Sequence, residues 1–200
     1  MMRLGIVGTA GRRDDASLVS LALQNRMLDA GRSTVKALNI TSLVSGGAAW
    51  ADHVVVQLVL EGVIPACDLT LHFPSPINKK GFNDSSSGKT MNHYHNLFKH
   101  KTNINSIEEI LEVISLGAKV FINKGGFKAR NSDVARDSDA LLAFTFGSGE
   151  PWKAKIKGNM NAMDAGLKPG GTYDTWNKCH SDKKIHVCLS EIKQTLDLKL

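Results

Sequence analysis

The sequence predicts an α/β protein with a mainly parallel sheet flanked by helices, in one domain over 1–200 with polar insertions at about 75–105 and 147–168. Two observations carry this. Short apolar runs of strand length alternate with longer segments of helical character, and most of the runs stop at a glycine-rich turn. Such alternation implies right-handed crossovers between parallel strands. A third, the length of 200 residues with 42% hydrophobic and 22% charged content, suits one sizeable core.

Taken in order, Leu4–Val7 reads as a short buried strand ending at Gly8-Thr9-Ala10-Gly11. Ala16–Ala30 reads as a helix, with Asp14, Asp15 or Ser17 as N-cap and Gly31 as its C-terminal stop. Asn39–Val44 makes a second strand, closed by Ser45-Gly46-Gly47. Trp50–Glu61 is rich in valine, which favours strands, but it lacks period-two alternation and is long, so it is assigned as a buried helix. Leu69–Phe73 is the third strand. Residues 75–105 break the rhythm with serines, lysines and three histidines, and read as a long polar, partly mobile loop. Ser106–Leu116 is the clearest helix, with a capping-box pattern at Ser106 and Glu109 and a stripe of Ile107, Ile110, Leu111 and Ile114. A short helix follows Asn131 or Ser132, Ala140–Thr145 is a strand, Pro169–Trp176 introduces a helix, and Lys184–Leu189 closes as a strand.

Composition bounds the function. No apolar run reaches the roughly 20 residues needed to cross a bilayer, and the first residues lack a signal-peptide core. Three cysteines argue against a disulfide framework and for a reducing compartment, so the expected location is cytoplasmic, with no membrane partner. A net charge of +6 favours anionic partners.

Three turns share one design of strand, glycine turn and helix: Gly8-Thr9-Ala10-Gly11, Ser45-Gly46-Gly47 and, after the second insertion, Gly170-Gly171-Thr172. A helix N-terminus offers unpaired N–H groups and about half a positive charge to an anion. Thr9, Ser45 and Thr172 supply hydroxyls, and Arg130 a bidentate fork for phosphate. The structural alternative at each turn is a tight connection with no ligand. Asp52 falls in a first helical turn, where it either complements the helix dipole or meets a ribose.

Other constellations are weaker. Gly88-Lys89-Thr90 lacks the upstream glycine of a P-loop, since position 83 is Asn83. His93, His95 and His100 near Asp84, and Cys179, His180, His186 and Cys188, lack the spacing of zinc motifs, so neither a metal nor a cofactor is expected. Trp152 is the expected exposed aromatic. The lysines of 79–101 and 153–157 are interleaved with few aromatics and read by default as a solvated face.

Leu43-Val-Ser-Gly-Gly-Ala-Ala-Trp-Ala-Asp-His53 resembles the SGGAxxAD turn of the SLOG superfamily, which includes LOG-type phosphoribohydrolases, DprA proteins and nucleotide-sensing modules. Arg130-Asn131 followed by Asp139–Gly147 is similar to that group's arginine-bearing helix and strand, and Pro169–Trp176 to its second glycine motif, PGGxGTxxE. The resemblance implies a Rossmann-like fold, a homo-oligomer and a nucleotide-derived ligand. Gly46, Gly47, Gly171 and Thr172 would then cradle its phosphate, with Arg130 and Asn131 beside the ribose-phosphate. Thr175 stands where the enzymes carry a catalytic glutamate. Asp174, one residue earlier, or Asp52 is the substitute carboxylate, with Arg130, for N-glycosidic hydrolysis, but for Asp174 one residue turns a helical side chain by about 100°. Binding is therefore the leading expectation, with or without hydrolysis. The alternatives are a basic single-strand nucleic-acid binder of DprA type, a non-enzymatic sensor, and an interaction domain with vestigial turns.

Overall fold

In the computed structural model, which describes residues 2–147, 165–167 and 169–197, the chain is built around a six-stranded parallel sheet. Strand β1 (Arg3–Gly8) lies in the middle of it. A four-residue helix, α1 (Asp15–Leu18), and a long one, α2 (Leu21–Ala37), lead to β2 (Ser42–Ser45). A 3₁₀ turn, Trp50–His53, opens α3 (Val54–Leu60), which is followed by β3 (Leu69–Phe73). The hairpin of β4 (Ile77–Asn78) and β5 (Gly81–Phe82) precedes α4 (Ser86–Thr102) and α5 (Ser106–Ser115). The chain then forms β6 (Lys119–Ile122), α6 (Gly126–Arg136), β7 (Ala140–Thr145), α7 (Gly171–Lys178), β8 (Lys184–Cys188) and α8 (Leu189–Asp197).

The strand order is β6-β3-β2-β1-β7-β8, with every neighbouring pair parallel. Starting at β1, the chain steps outward through β2, β3 and β6, then returns to add β7 and β8 on the other side. This is the Rossmann-like α/β architecture, and β1 and β7 flank the point where the connections reverse. A ligand crevice opens there, at the carboxyl ends of the strands. Register is set by fully buried partners: Leu4 stands opposite Leu43 on one side and Ala140 on the other.

Four expectations need correction. The cap of α2 is Ser20, whose side chain accepts from the Leu23 amide, and not Asp14, Asp15 or Ser17. Nor does Gly31 stop this helix. A Cβ there would lie 2.9 Å from Val54 Cγ1 and 3.3 Å from Leu58 Cδ1, so the glycine lets α2 and α3 approach closely. The capping box at Ser106 and Glu109 does not form, because both side chains serve tertiary contacts. Ser106 bonds to His95 at 2.8 Å, and Glu109 reaches Nε2 of His53 at 2.5 Å. Finally, α6 begins at Gly126, ahead of Asn131, so Arg130 and Asn131 sit within it.

The largest correction concerns 75–105, which is not a loop but the β4–β5 hairpin and the 17-residue α4. Its apolar face is sparse yet correctly spaced: Met91, His95, Phe98 and Thr102 are all buried. Phe98 packs edge-on against Trp50 with ring centroids 4.7 Å apart, a pairing worth about 0.5–1.5 kcal/mol beyond area burial. That packing helps hold Trp50 at φ 65°, a left-handed conformation costing roughly 1–3 kcal/mol. Ser85 caps α4 by accepting from the Gly88 amide. Ser85→Ala is expected to cost about 1 kcal/mol, read by thermal unfolding, with amide exchange faster over the first turn of α4 alone. β6 and α8 also lay outside the sequence assignment. Among the described residues, no helix is long and apolar enough to cross a membrane.

Candidate functional site

The crevice at the strand ends is a cavity of about 630 Å³. Its floor is Val7, Gly8, Thr9 and Thr145, where β1 and β7 end. Its walls include Arg12, Arg13, Asp14 and Asp15 from the turn after β1, Ala48 and Asp52 from the turn after β2, and Tyr94 from α4. Phe127, Arg130 and Asn131 of α6 and the start of α7, Pro169 to Thr172 with Thr175, complete it.

The topology thus brings Gly8, Thr9, Asp52, Arg130, Asn131, Gly170, Gly171 and Thr172 to one cavity. Ser45, Gly46 and Gly47 do not line it. Ser45 is fully buried and donates to the carbonyl of Ile6 at 3.0 Å. A Cβ on Gly46 would fall 1.5 Å from Nη1 of Arg130, so this glycine makes room for the guanidinium. Gly47, at φ 65°, has Phe73 against its α-carbon and accepts from Nε2 of His95 at 3.1 Å. The Ser45-Gly46-Gly47 turn therefore lies behind Arg130 and shapes the site indirectly.

Arg130 is the central group. It is 7% exposed, and its Nη1 donates to Oδ2 of Asp52 at 3.0 Å. Burial pulls its pKa down, opposed by Asp52, and the nearby Arg12 guanidinium lowers it further. Its Nε is buried with no hydrogen-bond partner among the described residues. Burial in turn raises the pKa of Asp52, against the pull of Arg130 and of the Ala48 and Gly8 amides. The Ala48 and Arg130 bonds orient the Asp52 carboxylate, and the carboxylate anchors the fork in place.

The other polar groups differ in how free they are. The Thr9 hydroxyl donates to Asp15 at 2.7 Å and accepts from the Gly11 amide, while the Thr9 amide is bonded to the carbonyl of Phe144. Thr9 thus has its main donors committed. Asn131 Nδ2 donates to the carbonyl of Gly171 at 3.3 Å, tying α6 to the start of α7. The first intrahelical bond there runs from the Asp174 amide to the carbonyl of Gly170, and helix geometry leaves the amides before it without intrahelical acceptors. Gly171 and Thr172 line the cavity. Asp174 is not among the lining residues; it pairs with Lys178 at 2.8 Å and is over a third exposed. Thr175 does line the cavity, and its hydroxyl donates to the carbonyl of Gly171 at 3.0 Å.

Arg12, Arg13 and Phe127 line the cavity without having been singled out in the sequence, and Tyr94 lines it although the sequence offers it only as one of the few aromatics among the lysines. Arg12 lies four residues beyond Gly8, and Phe127 follows Gly125-Gly126, so glycine turns flagged both neighbourhoods. Tyr94 rides on α4 and carried no such signal. Among the described residues, no lysine lines the cavity, and Lys101 donates to the carbonyls of Ala16 and Val19. Trp50 and Trp176 are core residues, while Trp152 and the lysines of 153–157 lie outside the described residues. Among the described residues, no group of three or more histidine, cysteine or acidic side chains is placed to hold a metal ion.

Uncharacterized protein R261 of Acanthamoeba polyphaga mimivirus is 34% identical to the chain over 197 residues, spanning 94% of this chain and 97% of the viral one. The chain belongs to that protein's family. The likeness runs nearly end to end in both. No family model and no solved structure matches the chain.

Proposed function

We propose that the protein binds a phosphate-bearing nucleotide derivative in the cavity between β1 and β7, with the phosphate between Arg130 and the first turn of α7. The observation that carries this reading is the buried guanidinium of Arg130, whose Nε has no partner in the cavity wall. An unsatisfied buried donor on a charged group costs roughly 1–3 kcal/mol or more, and a phosphate oxygen would satisfy it. The charge count of the lining does not choose an anion, since among the described residues it holds three arginines and three aspartates. The arrangement does. Asp52 is held by Arg130, Asp15 accepts from Thr9, and Arg12 and Arg130 repel one another across a space that an anion would neutralise.

The ordered motifs resembling the SLOG superfamily support the same ligand class. Binding is favoured over cleavage because the carboxylate nearest the motif's catalytic position, Asp174, is paired with Lys178 away from the cavity lining. The test is native mass spectrometry of gently purified protein, with calorimetric titration of inorganic phosphate and ribose 5-phosphate. A co-purified nucleotide or saturable phosphate binding is expected. Neither ligand binding, with nothing co-purified, would end the proposal, and ribose 5-phosphate released from a nucleoside monophosphate would return the site to the hydrolases.

A further inference from the structure

At one wall of the cavity a flat cation already lies against two aromatic rings. The guanidinium carbon of Arg12 is 5.0 Å from the ring centroid of Tyr94 and 5.2 Å from that of Phe127. The rings come from different elements, Tyr94 from α4 and Phe127 from α6, and both are half-buried. A guanidinium is planar, delocalised and stacks on aromatic faces. A nucleobase has the same flat shape, and stacking on aromatic side chains tolerates any base because each has a π-face. The wall is also joined to the anion end of the cavity, since Phe127 carries the Arg130 guanidinium 5.6 Å from its centroid. One ring therefore touches both cations, and a ligand with a phosphate at Arg130 would bring its remaining bulk beside Phe127.

We propose that Tyr94 and Phe127 form a stacking slot for the base of the ligand, in the place the Arg12 guanidinium fills. On binding, the base stacks between the rings and Arg12 turns to the phosphate. This rests on the reading of the cavity as a phosphate site and adds what determines its specificity. Arg12 is then a resident stand-in: its stacking keeps the two rings apart, and its repulsion from Arg130 makes it ready to leave. The slot gives the base of the proposed nucleotide derivative its place in the cavity, beside the phosphate at Arg130.

The test titrates the full chain with AMP, ribose 5-phosphate and inorganic phosphate by calorimetry. Wild type is expected to bind AMP roughly 5- to 150-fold more tightly than ribose 5-phosphate, the margin that one stacked base supplies. Tyr94→Ala and Phe127→Ala should each shrink the ratio of AMP to ribose 5-phosphate affinity, and Tyr94→Phe should keep it. Should the alanine variants not fold, the wild-type comparison of AMP with ribose 5-phosphate still decides. Equal wild-type affinities for the two would overturn the slot and leave the phosphate site standing. Alanine variants that weaken both ligands alike would overturn it too. Failure of wild type to bind any of the three would remove the site itself, and the slot with it.

Discussion

Arg130→Ala is expected to cost about 3–5 kcal/mol of stability, because it leaves Asp52 buried with its charge unanswered. In a chain of this size that lowers Tm by roughly 6–20 °C. Phosphate should not restore it, since the group that would hold the phosphate is gone. Asp52→Asn is the informative contrast. It too breaks the pair and destabilises the fold, but Arg130 keeps its charge and gains a free donor. Phosphate affinity should rise, and saturating phosphate should recover about 2.7 kcal/mol at a hundredfold excess over Kd. The measurement is thermal unfolding of both variants across a phosphate series. Two variants that respond to phosphate in the same way would show that Arg130 is a structural ion-pair partner and no more.

That contrast also shows which parts of the site the sequence could reveal. Glycine turns at strand ends pointed to Gly8, Gly170 and Gly171, because the topology that gathers strand ends follows from the alternation of elements alone. The roles of Ser45, Gly46 and Gly47 were not legible. A glycine that receives a phosphate and a glycine that makes room for a buried arginine look identical in one dimension. Only the fold shows that Arg130, 84 residues after Gly46 in the chain, lies across it.

The same limit applies to α4. Its mean character is polar, with five lysine or histidine residues among its last ten, and serines at its start. Period-based reading therefore assigned a loop. What makes it a helix is tertiary: Phe98 and His95 fill a space beside Trp50 and Gly47 that no local pattern announces. Tyr94 entered the cavity unnoticed for that reason. By contrast β1, β3 and β7 matched their apolar runs closely, since strands buried on both faces are nearly continuous hydrophobic sequence.

His95 should make the protein sensitive to mildly acidic pH. Its ring is buried between α4, α5 and the Gly46-Gly47 turn: Nε2 donates to the carbonyl of Gly47, which leaves Nδ1 to accept from the Ser106 hydroxyl. Burial, with repulsion from His53, pushes its pKa down to about 3 from the ordinary 6.5. A base whose pKa falls on folding binds fewer protons in the native state than in the unfolded one. Its stabilising contribution is thus complete above about pH 6.5 and is lost as pH falls toward about 3. Between about pH 7.5 and about pH 4.5 the loss should be about 3 kcal/mol, from 1.36 kcal/mol per pH unit. His95→Gln removes the titration, so it should be less stable at neutral pH yet show a visibly shallower acid limb in denaturant unfolding. Parallel pH profiles for the variant and wild type would rule out His95 as the acid-sensitive group. Protonation does not release the Gly47 carbonyl, because Nε2–H donates to it in either state. The loss comes from burying the new charge and from Nδ1, which can no longer accept from the Ser106 hydroxyl.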